Sequence, residues 1–475
     1  MGSIFNRKKY IKLLFIKFNI NLMENNPPPP KNKNEKNTFS FSLKDPLSAI
    51  GYQAEEGDLY YMTPARELST YPMYIDNPKR VEKPVIGTYI SYTMDGTDIT
   101  EKLTRRYSDF FALYEKLLQR WPGVYIPRIP PKKITGNLDP LLVQTRMRLL
   151  NRFCLNLSNI EYLYKSEETN IFKNNIPDIA NALKNLPELH YSDMLARMRD
   201  AFPDANDNFD MDVEKNKIIE FDAFLKKALK NIQEFHTSVN LAFEKREIEK
   251  KKYLELIDGL KNYENLNIMS YTENNSEALI FGNPSYSDVT EKIVKLKNEM
   301  INPFIAFKEW LEEETLDVEA MLLAIKQIFS LVETEAKLKD KLNGLEEGLK
   351  KGKSPNFIKH LFKKKEDVMI EMEKEKQTTQ QNLNDLKLII KLVGDNLSNQ
   401  IEKFKNEKSQ NYYKYLKMFA ILQRESNKVI RELWTMVKNA LNNISPNAGK
   451  DGEFQAQPII EQEQQGHQED DAPEE

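Results

Sequence analysis

Cysteine is almost missing: Cys154 is the one thiol in 475 residues, and there are four histidines. One thiol excludes an internal disulfide framework, and so few Cys and His residues exclude the usual structural zinc sites. A reducing, cytoplasmic setting is expected. Glycine is also scarce, at 16 residues, which argues against a fibrous or low-complexity chain and for a helix-rich one. The chain contains no Gly-x-x-x-x-Gly-Lys-Ser/Thr loop, no His-Glu-x-x-His helix, no Cys-x-x-Cys pair and no Gly-x-Ser-x-Gly elbow. The corresponding nucleotide, metal and acyl-transfer chemistries therefore lack their residues, and neither an enzyme nor a cofactor nor a metal site is expected. Long uncharged runs are absent at the N-terminus, where Lys8, Lys9, Lys12 and Lys17 interrupt the apolar residues from Tyr10 to Ile20. A signal peptide is not expected there. Gly2 invites N-myristoylation, but Asn6 stands where that pattern wants Ser or Thr.

Charge of one sign is nearly missing too, since 69 basic residues meet 72 acidic ones for a net charge of −3. Any anionic partner must be met by a local patch rather than by total charge. The patch exists: residues 80–175 carry 15 Lys and Arg against 10 Asp and Glu, while the stretch after Lys450 holds nine acids. Residues 1–70 read as a disordered leader with Met23 as an alternative start, a run Pro27 to Pro30 and a Lys/Asn-rich stretch. Residues 446–475 read as an acidic disordered tail.

From about Pro84, Val85, Tyr89 and Tyr92 read as a strand that turns at Asp95-Gly96 into a second near Ile99 to Tyr107. Ser108 or Asp109 is expected to cap a helix over Phe110 to Arg120, ended by Trp121-Pro122-Gly123. Ile126 to Lys133 holds three prolines and reads as an extended loop, and helical period returns from Leu141 to Leu157 with Arg146, Arg148 and Arg152. Together these make a compact α+β domain at 71–190. A linker at 191–212 contains a candidate amphipathic helix, Tyr191 to Phe202, which either enters a membrane or braces the neighbouring domains. From 213 to 445 apolar residues recur at three-to-four spacing, as in Phe221, Leu225, Ile232, Phe235 and Val239 and again from Leu383 to Phe404. Three long helices are expected, with breaks at 262–288 and 348–355 and with apolar surface that a second copy would cover.

The cluster that carries chemistry is Arg105-Arg106-Tyr107-Ser108-Asp109-Phe110, then the proline loop with Lys132, then Arg146. Three separated elements each offer a cation, and an aromatic ring lies between them. A phosphorylated inositol needs that set, with a guanidinium to grip one phosphate and further donors for a second phosphate and the ring hydroxyls. In this order and spacing the stretch resembles a PX (phox-homology) domain. The helices after it resemble the BAR domain of the sorting nexins, with Ile401 to Lys408 similar to a stretch of that family's third helix. The whole is therefore read as a member of the PX-BAR sorting nexins. The fold implied is a three-stranded antiparallel sheet with helices, then an elongated three-helix coiled coil.

That resemblance implies that Arg106 holds the 3-phosphate of phosphatidylinositol 3-phosphate, Tyr107 stacks on the inositol, Lys132 meets the 1-phosphate and Arg146 bonds ring hydroxyls. Arg105 and Lys133 are expected as secondary lipid contacts, although the arginine at the place of Arg105 more often plays a structural or nearby electrostatic part, with Lys351, Lys353, Lys363, Lys364 and Lys365 touching acidic lipid from the loop between the second and third long helices. Tyr125, Ile126 and Ile129 either insert shallowly into the bilayer or pack beneath the loop. Lys245-Arg246 and Lys250 to Lys252 alternate with glutamates and read as a salt-bridged face. His360 reads as a solvated residue and Cys154 as buried in the domain's last helix. The function implied is a non-enzymatic, peripheral protein of the early endosome that dimerises, with itself or another PX-BAR protein, and senses or stabilises curvature. Retromer-type cargo machinery is the partner implied. The alternative is a coiled-coil adaptor that is addressed by its PX domain and does not bend membrane. Nucleic acid is not an expected partner, because the lysine runs lack interleaved aromatics.

Overall fold

The computed structural model describes residues 70–83, 87–132, 138–205, 209–265, 280–281, 283–351 and 365–444. All lie in one compact unit that spans 44–475. The leader, the acidic tail, His360, Lys133, Lys353, Lys363 and Lys364 fall outside the described residues, as does the side chain of Lys365.

Strands β1 (Tyr74–Lys83), β2 (Gly87–Asp95) and β3 (Leu103–Arg106) form an antiparallel sheet in the order β1-β2-β3. The strands expected from about Pro84 and near Ile99 correspond to β2 and β3, while β1, which contains Asn77-Pro78, was not among the expected strands. The structure absorbs that dipeptide in a register shift between Asp76 and Lys79, where Asn77 takes a left-handed φ of 47°. Such a bulge is tolerated because β1 is an edge strand and proline needs no partner for a missing N–H there. The link after Asp95 is longer than a tight hairpin. A side chain at Gly96 would lie 2.3 Å from the Pro72 carbonyl oxygen, so the chain passes there only as glycine.

Helix α1 spans Tyr107–Arg120, three residues earlier than expected. Asp109 stabilises its first turn from inside the helix, not as the cap: its carboxylate accepts the Arg106 N–H at 2.9 Å. Helix α2, Pro140–Ser158, starts where Asp139 accepts the N–H groups of Leu141 and Leu142, with proline at the first position. Asn151 of α2 is buried and grips the edge strand from the side: its carbonyl accepts Ile75 N–H at 2.7 Å and its amide donates to Ile75 O at 2.8 Å. Short helices α3 (Glu161–Tyr164), α4 (Glu167–Lys173) and α5 (Ile179–Lys184) follow and pack against α1 and α2. Phe110, Leu113, Leu117, Leu150, Phe153 and Phe172 fill the core with Tyr92 and Met94 of β2. Cys154 is buried in α2, which is not the last helix of this region, since α3 to α5 follow it.

Helix α6, Tyr191–Ala201, buries Leu195 and Met198 in the same core. Arg197 stands over the Trp121 ring at 4.9 Å and donates to Glu168 at 2.7 Å, while Arg120 meets that same buried carboxylate. The apolar face of α6 is therefore spent on packing, and the bracing alternative holds over the membrane-entering one.

Beyond it run α7 (Met211–Asn265), a short α8 (Ser287–Glu299), α9 (Ile305–Lys351) and α10 (Lys365–Ile444). At 1.5 Å per residue the three long ones measure about 80, 70 and 120 Å. Leu383, Leu386, Ile390, Val393, Leu397, Ile401 and Phe404 of α10 are all buried, as the periodicity predicts. Phe235 of α7 and Leu441 of α10 depart from it and are exposed. No described helix is long and apolar enough to cross a membrane.

The α+β part and the long helices share one continuous core. The tight turn at Gly123 (φ +81°) lies against α9 and α10, and a Cβ there would sit 2.7 Å from Val393 Cγ1. Gly123 N–H donates to Gln327 Oε1 at 3.2 Å, and Gln327 Nε2 donates back to Leu118 O at 3.0 Å. Beside this contact runs a seam of charge. Arg148 meets Glu309 at 3.6 Å and Glu313 at 2.7 Å and also pairs with Glu312; Arg152 grips both oxygens of Asp317 at 2.8 and 2.6 Å. The sequence places Arg148 and Arg152 on α2 without showing that they face another domain's acids.

Candidate phosphoinositide site

Arg106 ends β3 and Tyr107 begins α1, so strand and helix together fix the two side chains at a sharp bend in the backbone. The Arg106 guanidinium is about one-third exposed, and its Nε lies 3.4 Å from Asp109 Oδ1. Asp109 thus holds the inner edge of the guanidinium, and the outer edge points away from the capped turn.

Tyr107 is the hub. Its hydroxyl donates to Pro130 O at 2.7 Å, which ties α1 to the proline loop two residues before Lys132. Burial raises this phenol above its ordinary pKa, against the pull of Arg146 and Arg128, so it stays protonated and remains a donor. Arg146 reaches the ring from α2, with Cζ 4.6 Å from the centroid, and its residue is buried. Lys132 reaches the neighbouring ring of Phe111 at 5.8 Å, and the two rings lie 6.5 Å apart. Arg106, Tyr107, Lys132 and Arg146 therefore surround one place, formed by a strand end, a helix start, a loop and a second helix. Three cations grouped on neighbouring rings are an arrangement that can hold an anion with more than one phosphate.

Arg105 is corrected. It is 3% exposed, and its Nε and Nη2 donate to Phe172 O at 3.1 and 2.8 Å, with further bonds to Asn174 O and Thr104 O. On a strand, side chains alternate, so of two adjacent arginines one faces the site and the other faces the interior. Arg105 pins the end of α4 from the interior, which is the structural part and not that of a lipid contact. Replacement by Gln removes charge-assisted bonds to three backbone carbonyls, of which that of Phe172 is buried, and is expected to cost about 2–4 kcal/mol of stability. The check is a thermal unfolding scan, and an unchanged midpoint refutes it.

Ile126 and Ile129 are buried and Tyr125 turns its hydroxyl toward Asp317 at 3.5 Å, so all three pack beneath the loop and do not enter a bilayer. Leu138 and Leu141, at the start of α2, are exposed instead. The Asp139-Pro140 signal for a helix start flanked by leucines was the clue to them. Lys351 is exposed at the end of α9 and pairs with Glu347 at 3.0 Å. Arg246 pairs with Glu249 and Lys252 with Glu255, as a salt-bridged face requires.

A PX domain family model matches residues 96–175. Among curated proteins, the chain is 51% identical over 55 residues to sorting nexin MVP1 of Candida albicans, covering 11% of this chain and 7% of that protein. It is 32% identical over 75 residues to human sorting nexin-33, covering 16% of this chain and 13% of that protein. The matches thus span a small part of these relatives' length. Among solved structures, the cryo-EM structure of the SNX-BAR Mvp1 tetramer aligns with a TM-score of 0.45 at 15% identity, covering 77% of this chain and 100% of that one. A designed CISK-PX domain aligns with a TM-score of 0.19 at 26% identity over 21% of this chain and 95% of that one. Sheet, helices and family model define a PX domain followed by an elongated helical module. Over this stretch the chain is similar to sorting nexins.

Proposed function

We propose that the chain is a peripheral membrane protein of endosomes that binds the headgroup of phosphatidylinositol 3-phosphate through Arg106, Tyr107, Lys132 and Arg146. The observation that carries this reading is the meeting of Lys132 and Arg146 on the adjoining rings of Phe111 and Tyr107, next to Arg106. Arg106 takes the 3-phosphate, Lys132 the 1-phosphate and Arg146 the ring hydroxyls. The exposed Leu138 and Leu141 suit the apolar layer below the headgroups. This is binding, with no catalytic step.

The domains proposed are a PX domain at 71–190, a linker at 191–212 and a dimerising helical module at 213–445. Phe224, Phe235, Leu241 and Ile248 of α7 and Tyr412 and Tyr413 of α10 are exposed in the single chain, which favours a second copy or a related PX-BAR chain against them. Lys351, Lys353, Lys363, Lys364, Lys365 and Lys133 are proposed to meet acidic lipid, at about 1 kcal/mol for each cation that reaches the surface. Headgroup and arc facing one bilayer then bind by avidity and favour curved membrane. Early endosomes and retromer-type cargo machinery are the setting and partner this reading implies.

Vesicle flotation tests it. The full chain is expected to float with vesicles that contain phosphatidylinositol 3-phosphate and far less with the 4-phosphate or with phosphatidylserine alone. Equal flotation on all three removes the headgroup reading. Tubules in electron micrographs of the bound vesicles separate membrane bending from simple tethering.

A further inference from the structure

Each of the three cations at the site rests on a different aromatic ring. Arg106 Cζ lies 5.6 Å from the centroid of Tyr89, Arg146 Cζ 4.6 Å from Tyr107 and Lys132 Nζ 5.8 Å from Phe111. All three fall within the roughly 6 Å over which a ring face attracts a cation. Tyr107 already stacks on the inositol in the headgroup reading; Tyr89 and Phe111 are assigned no contact with the headgroup there. We propose that Tyr89 and Phe111 are positioning residues of the headgroup site, whose ring faces hold Arg106 and Lys132 ready for phosphate without neutralising them. This inference rests on the headgroup reading above.

The elements place both rings by register. Arg106 pairs with Ser91 across the β2–β3 ladder, and Tyr89 is two residues from Ser91 on the same strand. Residues opposite one another share a face, and so do residues two apart, so Tyr89 is the diagonal neighbour of Arg106. Phe111 stands four residues after Tyr107 on α1, one turn along the same side of the helix. The aromatic floor is therefore built from two elements, β2 and α1, and does not depend on the loop.

The physical need is specific. Three cations gathered at one site repel one another, and lysine carries about 2 kcal/mol of rotamer entropy to be lost on binding. A carboxylate beside each would hold it more firmly, but it would also compete with phosphate and have to be displaced. A ring face attracts the cation through its quadrupole and adds no charge, so the cation keeps its affinity for an anion while it is held. The one carboxylate that contacts Arg106, Asp109, meets only Nε among the described side-chain contacts, which leaves the other edge of the guanidinium for bidentate contact.

The test is titration calorimetry of the full chain with short-chain phosphatidylinositol 3-phosphate, with the thermal midpoint measured on every variant. Tyr89→Leu and Phe111→Leu are each expected to weaken binding by about 3-fold to 10-fold. Tyr89→Phe and Phe111→Tyr, which keep the ring face, are expected to stay within about twofold of the parent. Tyr89→Met serves if the leucine disturbs the sheet, and it is expected to lose affinity as Tyr89→Leu does. Parent-like affinity in the leucine and methionine variants overturns the inference, as does an equal loss in Tyr89→Phe. Arg106→Ala anchors the series: loss of binding there with parent-like ring variants refutes only the positioning role, while parent-like binding by Arg106→Ala sinks the headgroup reading itself.

Discussion

Arg106→Ala is expected to weaken the affinity for soluble phosphatidylinositol 3-phosphate by about 100-fold and to abolish flotation at moderate salt. A guanidinium that meets a phosphate along one edge makes two charge-assisted hydrogen bonds, each worth roughly 1.5–3 kcal/mol. The side chain is about one-third exposed, so solvent screens part of this, and about 3 kcal/mol, or 100-fold, is a fair middle value. Stability is expected to change little, because Asp109 keeps its bond to the residue 106 backbone N–H whatever the side chain there. Arg106→Lys separates geometry from charge: it keeps the cation and loses the paired edge, and it is expected to recover only a small part of the affinity. An Arg106→Ala protein that binds the soluble lipid within about twofold of the parent contradicts the assignment of Arg106.

How far the sequence disclosed this site depends on the kind of signal each residue carries. Arg106, Tyr107, Lys132 and Arg146 were legible as candidates because a phosphate site uses residue types at fixed order and spacing. Which of its two parts Arg105 takes was not, since which of two adjacent strand residues faces inward depends on the register, and that is set by β2 and α4 far along the chain. Tyr89 and Phe111 looked like ordinary strand and helix aromatics, and only the fold brings their faces under cations. The long helices were plain from their stripes. Strand β1 was hidden by Asn77-Pro78, because a bulge on an edge strand and a turn use the same residues. The docking of the α+β part on α9 and α10 was not legible at all. Its partners are ordinary Arg and Glu residues on helices, the types that most often face water.

That seam yields the second large effect, and its direction is not obvious. Glu309, Glu312, Glu313, Glu314 and Asp317 supply five carboxylates against three cations, Arg148, Arg152 and Lys408. With acid in excess, removal of a carboxylate might be thought to relieve repulsion. The individual environments decide. Burial pushes the Asp317 carboxyl upward, but Arg152, which grips both its oxygens, and Lys408 outweigh that and hold it below the ordinary value. Its charged form is therefore favoured in the fold. Glu309 is held above its ordinary value, first by burial and then by Glu313 and Glu312, with Arg148 pulling the other way, so its charge is tolerated and not favoured. Asp317→Ala leaves Arg152 and Lys408 without their shared partner in a nearly closed place and is expected to cost about 3 kcal/mol. Glu309→Gln is expected to be neutral or slightly stabilising. Acid has the matching sign: the stability from Asp317, complete above its unfolded pKa, is lost as pH falls through its lower folded value, whereas the penalty at Glu309 is relieved as pH falls through its raised value. Thermal unfolding of the two variants at neutral pH is the measurement. Equal destabilisation by both means that the seam acts as undifferentiated charge. A large loss confined to Asp317→Ala, with proteolysis then entering between α2 and α9, means that one carboxylate gripped by Arg152 and Lys408 locks the headgroup site to the long helices.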